Sequence, residues 1–468
     1  MSKDMSYDAV MSRRPEIVKA SAGIDFAQFE KGGLAFDYEK MLESTGYTLE
    51  KVQEVQRAFS VGDTPILEMR NLTALARAFA PAGKGARIFV KDEAANPSGS
   101  FKDRRAATAV YHAKRAGYKG VIAATSGNFG AAVASQAAMQ GLECIIVQEC
   151  YDSRKVGQPE IIEKARKCEA FGAEVVQTTV GPELFYLSLR LLEETGYFSA
   201  SLYSPFGVTG VESLGYELAM QVKERCGKFP DAVVATNAGG GNVTGTARGL
   251  QKAGCNAAVI GASVNLSGLH MASDTQFNKK SFTTGHTGFG IPFASWPDRS
   301  DVPRSAARPL RYLDRYVTVN QGEVFYMTEL LANLEGLERG PAGNTSLAAA
   351  FSIAQEMDED AILVVQETEY TGAGKHVQPQ LSFARDNGIA ISFGNPENEV
   401  PGQSIILPKT PDLLKARELD LGRVRTSLIK NAVAALESGL TDEDVEFLAE
   451  ETRLTVDAVR GEIEKLKA

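Results

Sequence analysis

The amino-acid sequence predicts an α/β protein built on parallel β-sheets. Short apolar runs alternate with glycine-rich turns and helical stretches at the spacing of βαβ units, which require parallel strands. The chain has 44 glycines among 468 residues, which suits tight turns and close packing of helices on strands. Its apolar fraction of 44% and charged fraction of 23% are typical of a globular protein, and its length suggests about two or three domains.

The chain divides into three parts by pattern. Residues 1–60 are polar and mostly helical, with helix-like apolar spacing over 42–59. The βαβ rhythm follows, with predicted strands at 88–90, 121–124, 144–147, 174–176, 232–235, 259–262 and 362–365 and predicted helices at 101–116, 131–139 and 160–171. After about residue 408 the chain is charged and helical. There Thr441 and Asp444 have the spacing of a capping box, which predicts the start of one or two short helices.

Charge and cysteine usage exclude several classes of protein. A net charge of −9 disfavours a general nucleic-acid binder, because phosphate contacts need clustered basic residues. Five dispersed cysteines, no CxxC pair and four histidines disfavour a structural zinc site. No apolar run approaches the roughly 20 residues of a membrane helix, and residues 1–16 have no signal-peptide core. We therefore expect a cytoplasmic protein with neither metal nor membrane anchor.

The first loop that carries chemistry is NPSGSFKDR at 96–104. Ser100 and Asp103 have the spacing of a capping box, which places Lys102 in the first turn of the following helix. The positive end of a helix disfavours an ammonium group, so we expect a lowered pKa for Lys102. A lysine that loses its proton readily can form a Schiff base with an aldehyde. The alternative is a solvated surface lysine on a capped helix.

The second and third loops both follow predicted strands. Residues 125–130 read TSGNFG, and backbone N–H groups and hydroxyls at such a helix start bind carboxylates or phosphates. Asn128 adds an amide that can donate to a ring oxygen. Residues 237–245 read NAGGGNVTG, whose three glycines form a nest that fits one phosphate. Neither a Walker A loop nor a dinucleotide fingerprint is present. For each loop the alternative is a plain turn between strand and helix.

Together the three loops supply a Schiff-base lysine, an anion cradle and a phosphate nest, which describes a pyridoxal phosphate site. The motif at 96–104 resembles the cofactor-lysine motif of threonine synthases and related fold-type II pyridoxal phosphate enzymes. Four more motifs match that family in order: GDTP at 62–65, SGNFG at 126–130, GGGNVT at 239–244 and TGAGK at 371–375.

This resemblance implies a fold and a set of site residues. The implied fold is tryptophan synthase β-like, with a large cofactor-binding domain at 61–100 and 205–407, a small domain at 101–204, a helical lead-in at 1–60 and a helical extension at 408–468. The implied catalytic residue is Lys102. The implied cofactor ligands are Lys102, Asn128, Gly239, Gly240, Gly241, Asn242, Thr244 and Thr371. The implied substrate ligands are Thr125, Ser126, Gly127 and Asn128.

Other segments depart from ordinary threonine synthases. Residues 281–315 and 367–370 resemble the family of 2-amino-4-oxopentanoate thiolase β subunits, acyltransferases of ornithine degradation that work with a small α subunit. The resemblance implies pyridoxal phosphate-dependent cleavage of 2-amino-4-oxopentanoate by coenzyme A to acetyl-CoA and alanine, and a homodimeric core within a hetero-oligomer. Two alternatives stay open, since they share the cofactor motifs: a threonine synthase-like lyase or β/γ-replacement enzyme, and a non-catalytic binding protein.

Two expectations concern particular residues. The resemblance implies that Thr371 faces the pyridine nitrogen of the cofactor, and Glu369 is the rival for that place. An arginine-rich run suits the phosphates of coenzyme A or a docked subunit; its members are Arg299, Arg304, Arg308, Arg311 and Arg315. The alternative is a structural run neutralised by the interleaved Asp298, Asp301 and Asp314.

Overall fold

The computed structural model describes residues 3–125, 127–151, 155–157, 159–179, 181, 183–267, 281–283, 298, 301–370, 377–436 and 439–467. Three residues named above, Ser126, Arg299 and Thr371, lie outside these ranges. The strands are β1 (Ile66–Glu68), β2 (Arg87–Asp92), β3 (Gly120–Thr125), β4 (Glu143–Tyr151), β5 (Glu174–Thr179), β6 (Phe198–Ser199), β7 (Ala232–Thr236), β8 (Ala258–Val264), β9 (Arg315–Val319), β10 (Ile362–Glu367), β11 (Ala390–Gly394), β12 (Ser404–Pro408) and β13 (Arg417–Glu418).

The helices alternate with these strands through the centre of the chain and cluster at both of its ends. They are α1 (Tyr7–Ser12), α2 (Arg14–Ala22), α3 (Tyr38–Ser44), α4 (Leu49–Ala58), α5 (Arg70–Phe79), α6 (Lys102–Arg115), α7 (Asn128–Gln140), α8 (Pro159–Ala170), α9 (Glu183–Thr195), α10 (Pro205–Cys226), α11 (Gly241–Lys252), α12 (Pro309–Tyr312), α13 (Gln321–Glu335), α14 (Pro341–Ala354), α15 (Val377–Asp386), α16 (Leu421–Ala435), α17 (Asp442–Thr452) and α18 (Val456–Lys467). Among the described residues, no helix has the length and apolarity that crossing a membrane requires.

Two sheets carry most of the strands. The larger has the order β1-β2-β10-β7-β8-β9-β13, and the smaller has the order β5-β4-β3-β6. All neighbours in the smaller sheet are parallel, as are the five inner strands of the larger one. The edge strands β1 and β13 run antiparallel. The predicted α/β class with parallel sheets is confirmed, and the seven predicted strands lie within β2, β3, β4, β5, β7, β8 and β10.

Apolar side chains cover both faces of the larger sheet. Phe89, Val233 and Val259 belong to one buried cluster, whereas the adjacent Ile88 and Val234 belong to another. Successive strand residues point to opposite faces, so these runs are apolar throughout because both faces are packed by helices. Such continuous runs are what made the strands visible in the sequence.

The helical ends agree with the sequence in part. The capping box at Thr441 and Asp444 is confirmed at the start of α17. The Asp444 carboxylate also accepts hydrogen bonds from the backbone N–H groups of Leu34 and Ala35, at 2.8 and 2.7 Å, which ties the two ends of the chain together. The helical spacing over 42–59 belongs to two helices, since α3 ends at Ser44 and Thr48 caps the start of α4. The domain boundaries given above stay a prediction.

Candidate active site

The lysine loop precedes α6, which begins at Lys102 itself. The predicted capping box of Ser100 and Asp103 is wrong: the residue before the helix is Phe101, and no side chain caps it. Asp103 Oδ2 instead accepts from Ser98 N at 2.7 Å. The backbone of Ser100 forms a bridge to Glu369, and Ser100 Oγ accepts from Lys102 N at 3.3 Å rather than from Asp103 N.

That bridge brings the lysine loop against the segment that follows β10. Phe101 N donates to Thr368 O at 3.0 Å, and Tyr370 N donates to Gly99 O at 2.8 Å. Gly99 has φ +81°, and a Cβ there would lie 2.9 Å from Tyr370 O, so only glycine fits. The cofactor-lysine motif therefore meets the segment 367–370 through backbone hydrogen bonds, next to the buried Glu369.

The Lys102 amine has the electrostatics expected of a Schiff-base lysine. Burial lowers its pKa well below the ordinary value, and the charges of Arg105 and Lys164 lower it further, while Glu369 opposes them. The expected direction is thus confirmed, although its main cause is loss of water rather than the helix end. Lys102 Nζ lies 4.5 Å from the centre of the Phe101 ring. The lower pKa makes the amine easier to deprotonate, and neutral amines attack aldehydes.

The second loop runs from the end of β3 at Thr125 to the start of α7 at Asn128. Thr125 Oγ1 accepts from Gly127 N at 3.0 Å and from Gly130 N at 3.4 Å. These bonds leave the hydroxyl hydrogen of Thr125 available to a ligand. Asn128 is half-buried in the first helical turn, where its amide can reach a ligand. The prediction for Ser126 falls outside the described residues.

The third loop, residues 237–242, is called the glycine loop below. It joins β7 to α11, whose first residue is Gly241 and whose cap is Gly240 at φ +84°. A Cβ on Gly239 would lie 2.0 Å from Tyr203 Oη, and one on Gly240 would lie 2.3 Å from Pro309 Cγ. No side chain fits at either position, so the backbone N–H groups at the start of α11 are the groups that this loop can present to an anion.

The two polar residues of this motif differ in what they offer. Asn242 is buried, and its Nδ2 has no hydrogen-bond partner among the described residues. Thr244 Oγ1 donates to Gly240 O at 2.9 Å and accepts from Arg308 N at 2.8 Å. Because its hydroxyl hydrogen is in use, Thr244 here holds the loop, and it would contact a phosphate only after turning away from Gly240. Asn242 is the better-placed donor.

Contacts between helices bring the three loops into one region. A Cβ on Gly241 would lie 2.6 Å from Arg105 Nη2, so α6 abuts the glycine loop. Lys167 Nζ donates to Ser98 O at 2.5 Å, and a Cβ on Gly127 would lie 3.1 Å from Lys164 Nζ, so α8 joins the lysine loop to the second loop. Sequence reasoning missed Arg105 and both lysines of α8; the doubled arginine at 104–105 was the available signal.

Comparison with known proteins decides the family. The sequence profile described as pyridoxal-phosphate dependent enzyme matches residues 58–367. A protein of Acetoanaerobium sticklandii named 2-amino-4-ketopentanoate thiolase beta subunit is 71% identical over 468 residues, which is 100% of each chain. The chain belongs to this family of pyridoxal-phosphate-dependent thiolase β subunits.

Two further comparisons agree with that assignment. A second thiolase beta subunit of the same name, from an unknown prokaryotic organism, is 64% identical over 468 residues, covering 100% of this chain and 99% of the relative. The crystal structure of a threonine deaminase from T.th. aligns with a TM-score of 0.54 and 25% identity, over 70% of this chain and 99% of that one. The expected fold-type II architecture is confirmed, and the chain is a pyridoxal phosphate enzyme.

The residues of this site fit pyridoxal phosphate. The glycine loop is a cradle that any Cβ would fill, and the buried donors Asn242 Nδ2 and Arg105 Nε lack partners among the described atoms. A dianionic phosphate suits such donors at a helix start. Lys102 would hold the aldehyde and Asn128 the ring oxygen. These ligand assignments, and that of Thr371 to the pyridine nitrogen, stay predictions.

A second group of buried charges is linked to the site through α6, the helix that begins at Lys102. This arginine–glutamate cluster consists of Lys91, Glu93, Arg104 and Glu217. Arg104 Nε donates to Glu93 Oε2 at 2.7 Å, and Arg104 Nη1 donates to Glu217 Oε2 at 3.1 Å. Glu217 also accepts from Lys91 and from the backbone N–H of Thr64, at 3.0 Å. The motif at 62–65 thus has a structural role: it is anchored to the helix of the lysine.

The described side chains of the arginine-rich run are bonded to other groups of the same chain. Every arginine of the run within the described residues has an internal partner: Arg304 donates to Leu34 O, Arg308 pairs with Glu451, Arg311 with Glu450, and Arg315 with Glu418. The expected role in binding coenzyme A is therefore not supported. The expected neutralisation by aspartates is also wrong, because Asp298 pairs with Arg14, Asp314 with Arg453, and Asp301 accepts from Ser201.

Proposed function

We propose that this chain is the β subunit of a 2-amino-4-ketopentanoate (2-amino-4-oxopentanoate) thiolase, which transfers an acetyl group from that substrate to coenzyme A and leaves alanine. The observation that carries the proposal is the 71% identity to the A. sticklandii β subunit over the full length of both chains. The matched length includes residues 281–315 and 367–370, which depart from threonine synthases, as well as the cofactor motifs.

Lys102 would first hold the cofactor aldehyde and later act as a base. Its lowered pKa makes the neutral amine available to take the proton from Cα of the substrate. Bound pyridoxal phosphate supplies an electron sink for the negative charge that develops there. The buried Glu369 keeps a negative charge close to Lys102, which favours the ammonium form once the proton has been taken.

Cleavage requires two bond changes at the acetyl group. The thiolate sulfur of coenzyme A forms a bond to C4 of the substrate while the C3–C4 bond breaks, and the electron pair stays on C3. Alanine needs two protons, one on C3 to complete its methyl group and one back on Cα; they replace the proton that coenzyme A lost on forming its thiolate and the proton that Lys102 took from Cα. Lys102 is the group in this region whose pKa suits it to return that proton.

The second loop would orient the substrate carboxylate. Thr125 retains its hydroxyl hydrogen, and the residues from Gly127 to Asn128 lie at the start of α7, where N–H groups attract an anion. Ser126 completes the proposed set. Lys164 lies beside Gly127, where its amine is held by Glu160.

The proposal includes the setting in which the chain works. The relatives are named beta subunits, which supports an α subunit as partner. A homodimeric core within a hetero-oligomer is part of the proposal. The domain division at residues 61–100 with 205–407 and at 101–204 belongs to the proposal as well. All five cysteines are free thiols, which supports a cytoplasmic location and a role in ornithine degradation there.

The deciding experiment mixes the chain, with and without the α subunit, with 2-amino-4-ketopentanoate and coenzyme A. We expect acetyl-CoA and alanine in equal amounts, and we expect Lys102→Ala to form neither. Release of ammonia from threonine, or of phosphate from phosphohomoserine, without consumption of coenzyme A would instead favour a threonine synthase-like lyase or replacement enzyme.

A further inference from the structure

Arg105 is a buried cation that has no carboxylate partner among the residues that the structure describes. It lies one helical turn after Lys102 in α6, and only 1% of its surface is exposed. Its Nη1 donates to Leu202 O at 2.7 Å, whereas its Nε has no acceptor among the described residues. Burial lowers the pKa of its guanidinium to about 10, which still leaves it protonated at neutral pH.

The guanidinium of Arg105 lies directly against the glycine loop. A Cβ on Gly241 would lie 2.6 Å from Arg105 Nη2 and 2.9 Å from its Nη1. The Tyr203 hydroxyl borders the same loop at Gly239. Arg105 therefore adds a positive charge to the place where the start of α11 presents its N–H groups.

An isolated charge in a protein interior carries a large desolvation penalty, so buried charges are paired or bind ions. The neighbouring Arg104 follows this rule with Glu93 and Glu217. Arg105 has no such carboxylate in the described part of the chain, which leaves an anionic ligand as the group that completes its environment. A guanidinium fork matches phosphate oxygens with two parallel hydrogen bonds.

We infer that Arg105 is a ligand of the cofactor phosphate, which it binds together with the N–H groups of the glycine loop. The inference rests on the family's cofactor and does not depend on which substrate is cleaved. It also accounts for Gly241, since any larger residue there would displace the guanidinium from the loop. Sequence motifs had assigned the phosphate to backbone groups and to Asn242 and Thr244 alone.

The test compares apoenzyme of the wild type, Arg105→Met and Arg105→Lys. The control is Arg115→Gln, which changes an exposed arginine in the last turn of the same helix. Pyridoxal phosphate is titrated and followed by its absorbance to give a Kd. We expect the Kd to rise about 10- to 100-fold in Arg105→Met, because a charged hydrogen bond has that effect, less in Arg105→Lys, and not at all in the control.

A second readout needs no cofactor. Inorganic phosphate should raise the Tm of wild-type apoenzyme and of the control, but not of Arg105→Met, whose Tm without anions should exceed that of the wild type because an uncompensated charge is gone. An unchanged Kd together with an unchanged phosphate effect would overturn the inference. If Arg105→Met does not fold, Arg105→Lys decides in the same way. Neither readout needs substrate, so failure of the proposed thiolase activity would not affect them.

Discussion

Arg104 and Arg105 are adjacent and equally buried, yet their surroundings are opposite. Arg104 belongs to the arginine–glutamate cluster, where two carboxylates and a threonine hydroxyl accept from its guanidinium. Arg105 lies against the glycine loop, and it meets the backbone carbonyl of Leu202, the ring of Phe101 and Gly241. One helix therefore separates a completed charge network from an incomplete one.

The difference distinguishes structural charges from functional ones. In the arginine–glutamate cluster the positive and negative groups neutralise each other, so removing one group should damage the fold. In the lysine and glycine loops the compensation is incomplete: Lys164 pairs with Glu160 and Glu369 lies near Lys102, but Arg105 has no carboxylate partner among the described residues. Removing a group there should damage ligand binding or catalysis and leave folding intact.

The largest effect is expected for Lys102→Ala. Turnover should fall by at least about three orders of magnitude, since the amine that bonds the cofactor is the proposed base, while the free energy of unfolding should not fall, because a buried amine is removed. Thiolysis rates and urea unfolding measure the two quantities. Lys114→Ala, in the last turn of the same helix, is the control and should retain activity. A loss of stability in Lys102→Ala would contradict the distinction between structural and functional charges.

Glu93→Gln tests whether the arginine–glutamate cluster stabilises the fold. It leaves the Arg104 charge without one of its two carboxylates in a fully buried position. We expect the free energy of unfolding to fall by about 3–5 kcal/mol, with the cofactor absorbance retained in the molecules that fold. Urea denaturation measures the change, and a loss below about 1 kcal/mol would mean that the cluster is not a structural network.

The buried carboxyl of Asp103 predicts that the free energy of unfolding depends on pH. Burial raises the pKa of its carboxyl to about 7, so the folded chain binds a proton that the unfolded chain releases near pH 4. The wild type should therefore lose stability relative to Asp103→Asn as the pH rises from about 4 to 7, by up to ~1.4 kcal/mol per pH unit, with no further change above. Urea unfolding of both proteins from pH 4 to 8 measures this, and parallel curves would exclude a raised pKa.

The smallest effect is expected for Arg311→Gln in the arginine-rich run. Its guanidinium is paired with Glu450 on a partly exposed surface, and such pairs contribute about 0–1 kcal/mol. The KM for coenzyme A should change by less than about twofold. A steep rise in that KM, with the subunits still associated, would restore the run as a binding site for coenzyme A.

The sequence pattern predicted the elements that depend on residues close to one another in the chain. The apolar runs at 88–90 and 232–235 predicted central strands because both faces of the larger sheet are packed, and the capping box at Thr441 involves residues three apart. The edge strands β1 and β13 have three and two residues, too few for a period to appear. At Ser100 the predicted capping box is absent, and the backbone there pairs with a distant segment around Glu369.

Charge partners were the least predictable feature. Arg308 pairs with Glu451, 143 residues away, and spacing in the sequence carries no record of such a contact. For the same reason the nearby aspartates were wrong candidates. Arg105 could not be separated from Arg104 by sequence, because the direction in which each side chain leaves α6 decides which one meets carboxylates.

The most direct measurement of the central claim locates the lysine that bonds the cofactor. Holoenzyme is reduced with borohydride, digested, and analysed by mass spectrometry for the peptide that carries the reduced cofactor. We expect the added mass on Lys102. Finding it on Lys164, which lies beside Gly127 in the same region, or on any other lysine, would contradict the assignment of the site.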